Sequence, residues 1–490
     1  MIQKPKGTYD VFGEYGKKIL YLEDLLQVLM EKYNYEFVRT PIFESSELFH
    51  RGVGETSDIV TKETYDFIDR GERNVTLRPE GTAGVVRSFI ENKMYGRASQ
   101  PVKTWYYGPM YRYERPQSGR FREFYQFGVE VFGTENPLMD AEVISIPVRF
   151  YQLLGLKNIK VNINSLGDSE SRENYRKALI EYFEPHINEL CEDCKNRFEK
   201  NPLRILDCKI DAKNPIMENA PKMIDYLNET SREHFNKVQE YLKAMNIDFV
   251  VNPKIVRGLD YYTHTVFEVE ASVEGFGSQN VLGAGGRYNG LVELLGGPST
   301  PGVGFACGIG RLIMALDLEK IKLPIKEDIE IFVMYVSDTE KNYAATLVQS
   351  LRMCGFRVET EYTGRGLKSE FKQADRLGAK YLIILNDEDL KNNELKIKNN
   401  KTKEEVTIGL DYLLYYLDEV LMEEEIEYNE KCSCGDECNC TEEDNCGCMG
   451  EHNCTCGDEC CYSEDDDCGC MNEHCTCSEE CSCHHEEGEM

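Results

Sequence analysis

Hydrophobic positions near the start of the chain change from helical to strand spacing. Residues 15–33 place Ile19, Leu22, Leu26 and Leu29 at intervals of three and four, which predicts an amphipathic helix. The stretch YEFVRTPIFE (35–44) alternates like a strand, and its proline suits an edge or an interface position. Further on, VTLRPEGTAGVVRSFI (75–90) predicts a strand that enters a helix.

Two alternating runs then surround a polar turn. TWYYGPMYRYERP (104–116) and EFYQFGVEVF (123–132) flank the residues QSG, which predicts an antiparallel hairpin. Arg112, Arg115, Arg120 and Arg122 lie close together at this turn, with aromatic side chains between them. Such a hairpin indicates an anion-binding surface, and a solvated amphipathic hairpin with cation–π contacts is the alternative.

The rest of the chain predicts further changes of architecture. Residues 170–246 have charged, helical patterns, whereas 251–272 and 277–297 return to strands and glycine turns. GVGFACGIGRLIMAL (302–316) predicts a strand that passes through glycines into a helix. From about residue 327 to 420, short apolar strands alternate with helical segments, which is typical of a small α/β domain.

Charge and cysteine content set the C-terminal end apart. The formal net charge of the 490-residue chain is -31, and residues 431–490 alone contribute -17. They also contain 16 of the 21 cysteines. No apolar run has the length of a membrane span, and the N-terminus lacks the apolar stretch of a signal peptide, so we expect a cytoplasmic protein.

Several of these stretches together resemble one family. The hairpin, GVGFACGIGRL and the first helix with YEFVRTPIFE resemble the three signature motifs of class II aminoacyl-tRNA synthetases. VRGLDYYTHTVFE (256–268) and GAGGRYNGL (283–291) resemble the paired histidine-recognition motifs of the bacterial-type histidyl-tRNA synthetase family, and LRPEGTAG fits the same order. The resemblance covers roughly residues 1–425.

This resemblance implies an α+β fold and a domain order. We expect a class II catalytic domain over residues 1–325, in which an antiparallel sheet is flanked by helices and a helical insertion occupies about 170–247. An α/β anticodon-binding domain follows over 326–425, and 426–490 is an acidic, Cys-rich tail, disordered or ordered by metal. The implied activity is ATP-dependent attachment of L-histidine to tRNA-His through a histidyl-adenylate, with release of AMP and diphosphate.

The resemblance also assigns the arginines to ATP. Charge develops on phosphate oxygens when a carboxylate attacks the α-phosphate, and fixed guanidinium groups stabilise that charge. Arg112 and Arg257 are the implied catalytic residues, and Arg257 stands where other class II enzymes place a magnesium ion. The implied ATP-binding residues are Arg112, Glu114, Arg120, Arg122, Phe124 and Arg311, and Mg²⁺ accompanies ATP.

The implied histidine site combines acidic, amide and tyrosyl groups. An imidazole with two ring nitrogens needs a hydrogen-bond partner for each, and the ammonium group needs acceptors. Glu80, Thr82 and Gln126 are expected at the ammonium and backbone, and Glu130, Tyr262 and Tyr288 at the imidazole, with Tyr261 beside them. The full implied set is Glu80, Gly81, Thr82, Arg112, Gln126, Glu130, Arg257, Tyr261, Tyr262 and Tyr288.

The tail departs from the family pattern. It repeats C-x-C units near histidines, which is metallothionein-like because adjacent thiolates can share soft metals such as zinc or copper. A disulfide framework and a disordered acidic solubility tail are the alternatives. The expected ligands include Cys432, Cys434, Cys438, Cys454, Cys456, Cys460, Cys475, Cys477 and Cys481.

Other cysteines and other functions remain open. Cys191 and Cys194 form a C-x-x-C with Cys208 beyond, but no fourth ligand is evident, so ordinary thiols are favoured over structural zinc. A non-catalytic, synthetase-like regulatory subunit and a metal or redox sensor are the rival functions. The resemblance further implies a homodimer formed around Pro41, and contacts of Arg115 and Gln117 with an extra 5′ guanosine of the tRNA.

Overall fold

The computed structural model describes residues 1–54, 57, 59–117, 119–206, 208, 210–255, 259, 261–276, 280–325 and 329–430, with side chains as far as residue 421 except at residue 200. The chain divides into two compact units, Met1–Ile325 and Lys326–Met490. Each unit has a sheet and a hydrophobic core of its own.

Unit 1 contains eleven strands and nine α-helices in its described part. The strands are β1 (Glu36–Phe37), β2 (Phe43–Ser45), β3 (Tyr65–Ile68), β4 (Asn74–Leu77), β5 (Val102–Tyr111), β6 (Glu123–Phe132), β7 (Ile159–Ser165), β8 (Phe249–Val251), β9 (Thr263–Ala271), β10 (Val281–Arg287) and β11 (Gly302–Gly308). The helices are α1 (Gly13–Lys32), α2 (Ser46–Val53), α3 (Thr82–Glu91), α4 (Pro137–Leu153), α5 (Ser169–Phe183), α6 (Glu192–Lys200), α7 (Glu229–Ala244), α8 (Leu291–Leu294) and α9 (Ile309–Leu318).

An eight-stranded sheet forms the centre of unit 1. Its order is β1-β5-β6-β11-β10-β9-β7-β8, and every neighbouring pair is antiparallel except β1–β5 and β7–β8 at the two edges. The predicted hairpin is confirmed, since β5 and β6 pair along ten residues from Val102↔Phe132 to Tyr111↔Glu123. This sheet with its flanking helices is the expected class II architecture.

Strand alternation divides the side chains between the two faces of this sheet. On β6, Phe127 and Val129 enter a core that includes residues of α1, α4, α7 and α9. Gln126 and Glu130 have the opposite parity and therefore point to the other face. A Cβ at Gly128 would collide with the Tyr106 ring, so this glycine makes room for a tyrosine from the neighbouring strand.

One strand prediction is wrong in detail. The stretch 35–44 is not continuous: β1 pairs with β5 in the large sheet, whereas β2 pairs with β4 in a separate three-stranded sheet of order β2-β4-β3. Pro41 lies between the two strands. Proline cannot donate to a strand ladder, and its ring restricts the preceding residue, so the chain can leave one sheet and enter another here.

The predicted helical segment contains α5, α6 and α7, joined partly by short 3₁₀ turns. Asp168 caps α5 by accepting from the Ser171 N–H at 2.9 Å, and Asn228 caps α7 by accepting from the Ser231 N–H at 3.0 Å. The Asn228 amide also donates to Asp168 across 2.7 Å. The two helices therefore begin side by side, although α5 packs on a small core that includes Phe183 and α7 packs on the large core of the sheet through Phe235.

Unit 2 is the expected small α/β domain. Its strands are β12 (Ile331–Tyr335), β13 (Val358–Thr360), β14 (Tyr381–Leu385), β15 (Glu394–Asn399) and β16 (Glu405–Gly409), in the order β13-β12-β14-β15-β16. The first three are parallel and the last two join antiparallel. Its helices are α10 (Asp338–Met353), α11 (Leu367–Arg376), α12 (Asp387–Lys391) and α13 (Leu413–Glu430). A capping box of Ser337 and Glu340 starts α10.

Candidate active site

A cavity of about 510 Å³ opens on the face of the large sheet that carries Gln126. It is lined from strands β6, β9, β10 and β11, from the hairpin turn and from the starts of α3 and α9. Ten of the predicted site residues line it: Glu80, Thr82, Arg112, Glu114, Arg120, Phe124, Gln126, Tyr261, Tyr262 and Arg311. Segments far apart in the sequence therefore supply one site.

One part of the cavity is rich in guanidinium groups. Arg112 lies over the Phe124 ring at 5.3 Å and donates from Nε to the Pro79 carbonyl at 2.9 Å, so its position is fixed from two sides. Arg311 donates to the Val281 carbonyl at 3.1 Å. Burial lowers the pKa of Arg311, and the charges of Arg120 and Arg112 act in the same direction. An anion bound among these groups would relieve that repulsion.

Glu114 balances part of this charge. Its carboxylate lies 3.1 Å from Arg120 Nη1 and 3.9 Å from Arg112 Nη1. The Arg120 Nε is buried, and among the described residues it has no hydrogen-bond partner. A buried donor without a partner is costly, so this nitrogen is available to an acceptor on a ligand.

The part of the cavity around the start of α3 carries hydrogen-bond acceptors instead of guanidinium groups. Both Glu80 carboxylate oxygens accept backbone N–H groups, from Thr82 at 2.8 Å and from Ala83 at 2.7 Å. Burial nevertheless raises the pKa of Glu80. Gln126 lines the cavity, and its buried Oε1 has no hydrogen-bond partner in the part of the chain that the structure describes. Acceptors that are short of donors suit a bound ammonium group.

Glu130 and Tyr288 are fully buried and do not line the cavity. Thr82, which does line it, donates from Oγ1 to Glu130 at 2.7 Å, and the Tyr288 hydroxyl donates to the other Glu130 oxygen. Burial raises the pKa of Glu130 to about 8. A Cβ at Gly304 would occupy the place of the Glu130 carboxylate, which explains a glycine on the facing strand.

The remaining predicted site residues do not line the cavity or lie outside the described residues. Arg122 does not line the cavity: it lies 3.9 Å over the Tyr113 ring, and its Nε donates to the Glu114 carbonyl at 3.2 Å. Gly81 lies against the Tyr106 ring, where a side chain would not fit. Arg257 and the tail cysteines lie outside the described residues.

Some cavity residues were not predicted. Tyr9, Tyr125, Leu259 and Glu268 belong to the lining. Glu268 had a detectable signal, because it is a polar residue in the alternating strand THTVFEVE. Tyr9 had none, since it comes from the N-terminal segment that precedes the first helix.

Arg287, next to Tyr288, makes a buried ion pair. Its guanidinium donates from Nε to Asp140 of α4 at 3.0 Å, and neither side chain is exposed. His234 of α7 lies 3.3 Å from the same carboxylate. The pKa of Asp140 falls to about 2 because the attraction of Arg287 and the His234 hydrogen bond outweigh burial, which acts in the opposite direction. This pair fixes β10, and with it Tyr288, to the helical layer.

Among the helices that the structure describes, none has both the length and the apolar character that a membrane crossing requires.

Comparison with protein families identifies both units. The family model described as Histidyl-tRNA synthetase matches residues 7–312, and the model described as Anticodon binding domain matches residues 330–419. The first match contains every residue named above for the cavity, and the second lies within unit 2.

Individual relatives agree with the family models. The chain is 52% identical over 419 residues to a histidine–tRNA ligase of Anoxybacillus flavithermus, which covers 86% of this chain and 99% of that protein. It is 52% identical over 421 residues to that of Bacillus cytotoxicus, covering 86% and 100%. The crystal structure of apo S. aureus histidyl-tRNA synthetase superposes with a TM-score of 0.74 at 45% identity, covering 85% of this chain and 100% of that one. The uncovered part of this chain has no counterpart in these proteins.

Proposed function

Since the chain belongs to the histidyl-tRNA synthetase family, we propose that it is an ATP-dependent ligase that attaches L-histidine to tRNA-His. The observation that carries this proposal is the division of one cavity into a guanidinium-rich part and a part with buried acceptors. ATP, which brings Mg²⁺ as is typical of aminoacyl-tRNA synthetases, supplies the anion, and the amino acid supplies the ammonium group.

The proposed reaction has two steps. A carboxylate oxygen of histidine attacks the α-phosphorus of ATP, the bond to the bridging oxygen breaks, and diphosphate leaves with the electron pair. A ribose hydroxyl at the 3′ end of the tRNA then attacks the carbonyl carbon of the histidyl-adenylate. AMP leaves, and the hydroxyl proton is lost to solvent or to a phosphate oxygen. Negative charge builds on phosphate oxygens in the first step, so cations already in place lower its barrier.

We assign the phosphate end to the arginines that line the cavity. Arg112 is held between the Phe124 ring and the Pro79 carbonyl, so its fork can meet the α-phosphate without reorganising. We assign Arg120 and Arg311 to the outer phosphates. Phe124 offers a ring for adenine stacking, and Glu114 an acceptor for the adenine amino group. The family resemblance adds Arg257 at the α-phosphate.

We assign the histidine end to Glu80, Thr82 and Gln126 for the ammonium and backbone, and to Tyr261 and Tyr262 beside the imidazole. The Tyr261 and Tyr262 rings lie 4.7 Å apart and both line the cavity. Glu130 and Tyr288 lie behind Thr82 as seen from the cavity. We propose that they act on the imidazole of the bound histidine through the hydrogen bond from Thr82 to Glu130. A site that pairs both imidazole nitrogens rejects amino acids that leave these groups unpaired.

ATP–pyrophosphate exchange, measured with and without L-histidine, tests the activity. Exchange that depends on histidine supports the proposal, and exchange absent under both conditions favours the non-catalytic regulatory subunit. Arg257→Ala should reduce exchange on the order of 10²-fold or more, because it removes charge from the transition state. Near-normal exchange by this variant would remove Arg257 from the mechanism.

Partners and location complete the proposal. We propose a cytoplasmic homodimer that reads the anticodon through unit 2, where α11 carries Lys368, Lys372 and Arg376. Cations on one helix can hold tRNA phosphates while exposed bases are read nearby. Arg115 and Gln117 of the hairpin are proposed to contact an extra 5′ guanosine. Sedimentation of the protein with and without tRNA-His measures both the dimer and the complex.

For the tail we propose binding of zinc or copper through its C-x-C repeats. The argument rests on the sequence: thiolates one residue apart can share a soft metal, and the aliphatic content is too low for a core. Because ligand thiols must lose protons, metal addition to a tail peptide should release acid and make the peptide more compact. No bound metal in mass spectrometry under reducing conditions would overturn this proposal.

A further inference from the structure

Four potential metal ligands meet in the helical insertion, away from the cavity residues. Cys191, Cys194, Cys208 and Asp211 each offer one ligand atom, and these atoms all lie within 4.8 Å of one another. The cysteine spacing did not predict this four-ligand group, because the group contains only three cysteines. The fourth member is an aspartate, and it completes a pattern of two matching pairs, C-x2-C followed by C-x2-D.

We propose that these four side chains bind one zinc ion as a structural site. Tetrahedral zinc with Zn–S bonds of about 2.3 Å separates two sulfur ligands by about 3.8 Å. The Cys191 and Cys208 Sγ atoms lie 3.6 Å apart, which is close to this value. A cluster of several iron ions would need its sulfur ligands further apart. Four protein ligands leave no open position, which is typical of structural rather than catalytic zinc.

Backbone contacts orient the ligands. The Cys191 N–H lies 3.3 Å from Asp211 Oδ1 and 3.1 Å from Oδ2, and it donates to this carboxylate. Within the second pair, the Asp211 N–H donates to Cys208 Sγ at 3.5 Å. The first contact joins the two pairs and the second orients a sulfur ligand, and such contacts fix the direction of a ligand before the metal binds.

The proposed ion would stabilise the region between α5 and α7. Between α5 and α7 the described chain forms one nine-residue helix, α6, and five 3₁₀ segments of three to six residues. Segments this short do not hold their shape alone. Cys191 and Cys194 lie at the start of α6, whereas Cys208 and Asp211 lie beyond its end, so one ion would join both ends of this region.

Residue-specific alkylation of the full-length chain tests the site despite the cysteines of the tail. The chain is loaded with zinc under a phosphine reductant, treated with N-ethylmaleimide with or without a strong zinc chelator, and analysed by peptide mass spectrometry. Cys191, Cys194 and Cys208 should all be protected with zinc. After chelation the short segments around them lose the ion that joins them, so all three should be labelled, including Cys194 and Cys208, which are buried in the folded chain. Buried Cys307 should stay protected in both samples, and exposed Cys354 should be labelled in both. Identical labelling of the three cysteines with and without chelator would overturn the proposal.

Stoichiometry provides the second test. Asp211→Asn and Cys194→Ser should each lower bound zinc by one equivalent per chain relative to wild type, while Cys307→Ser, a buried control outside the cluster, should not. The tail contributes equally to every sample. Unchanged zinc content in both ligand variants, iron in place of zinc, or a Cys191–Cys208 disulfide in the unreduced peptide map would each contradict the proposed site.

Discussion

Thr82 and Glu130 are joined by a hydrogen bond of 2.7 Å that connects the wall of the cavity to a fully buried carboxyl group. Thr82 begins α3, and Glu130 lies on β6. The Tyr288 hydroxyl donates to the second oxygen of the same carboxyl. A change in the charge of Glu130 therefore alters its hydrogen bond with Thr82, which lines the proposed histidine site.

Glu130→Gln should reveal the buried ionisation. Burial raises the pKa of Glu130 from 4.5 to about 8, so the folded state binds a proton that the unfolded state releases between these values. The wild type should lose about 1.4 kcal/mol of unfolding free energy per pH unit across this window, and the loss should be complete above pH 8. The variant lacks this loss, so its stability relative to wild type should increase from pH 5.5 to 7.5.

Melting temperatures of both proteins across that window measure the effect. Glu14→Gln is the control, because Lys18 lowers the pKa of this exposed carboxyl and its titration falls below the window. A pH-independent difference between Glu130→Gln and wild type would contradict a protonated Glu130. In activity assays above pH 8, where wild-type Glu130 is charged and the amide is not, the Michaelis constant for histidine should rise more than that for ATP, because Glu130 contacts Thr82 of the proposed histidine site.

Arg120→Ala and Arg122→Ala should behave differently although the residues are two apart. Arg120 lines the cavity, and no described residue accepts a hydrogen bond from its Nε, so its loss should raise the Michaelis constant for ATP about 10-fold to 100-fold. Arg122 packs over Tyr113 and lies outside the lining, so its loss should mainly lower the melting temperature. Equal increases in the constant for ATP would support the sequence-based assignment of Arg122 to the nucleotide.

Asp140→Asn should destabilise unit 1 strongly. The substitution leaves Arg287 buried without its counter-charge, which typically costs about 3–5 kcal/mol. Asp317→Asn is the matched control, because the Asp317 side chain that pairs with Lys18 at 2.7 Å is about half exposed, and such a surface pair is worth below about 1 kcal/mol. Thermal unfolding of the two variants measures the contrast, and equal losses of stability would mean that the buried pair contributes no more than the surface one.

The local sequence pattern predicted which residues form strands and helices better than it predicted how deeply each side chain is buried. The alternation around Phe127 and Val129 correctly predicted the β5–β6 hairpin. Ten of the residues that the family motifs assigned to the site line one cavity. The same alternation could not tell that Glu130 lies beneath the cavity while Gln126 lines it, since both are on one face of one strand. Depth depends on what covers each residue, here Thr82 and Tyr288 from distant segments.

Long-range contacts account for the other omissions. Asp211 joins Cys191 because α6 and a 3₁₀ turn fold onto one small core, and spacing rules for cysteine and histidine ligands do not include an aspartate. The break of the strand at Pro41 depends on which of two sheets accepts each half. Neither outcome is visible in the hydrophobic pattern of the local sequence.

Removal of unit 2, by ending the chain at residue 325, should separate the two reaction steps. The cavity and its lining lie wholly in unit 1, so histidine-dependent pyrophosphate exchange should be retained. Charging of tRNA-His should fall sharply, because the proposed anticodon contacts are lost. Parallel assays of exchange and charging on one preparation measure the ratio. Equal loss of both activities would mean that unit 2 supports folding or dimerisation instead.

Deletion of residues 431–490 should leave aminoacylation close to the wild-type rate. Every residue assigned to the chemistry precedes this segment, and relatives covered over 99% and 100% of their own length have no counterpart for the uncovered part of the chain. Bound metal should fall to the single zinc equivalent of the Cys191–Asp211 cluster, and Asp211→Asn in the shortened chain should remove that one as well. Charging assays and elemental analysis on the same samples measure both effects. A shortened chain that no longer charges tRNA would make the tail part of the catalytic apparatus, and an unchanged metal content would exclude it as a metal-binding segment.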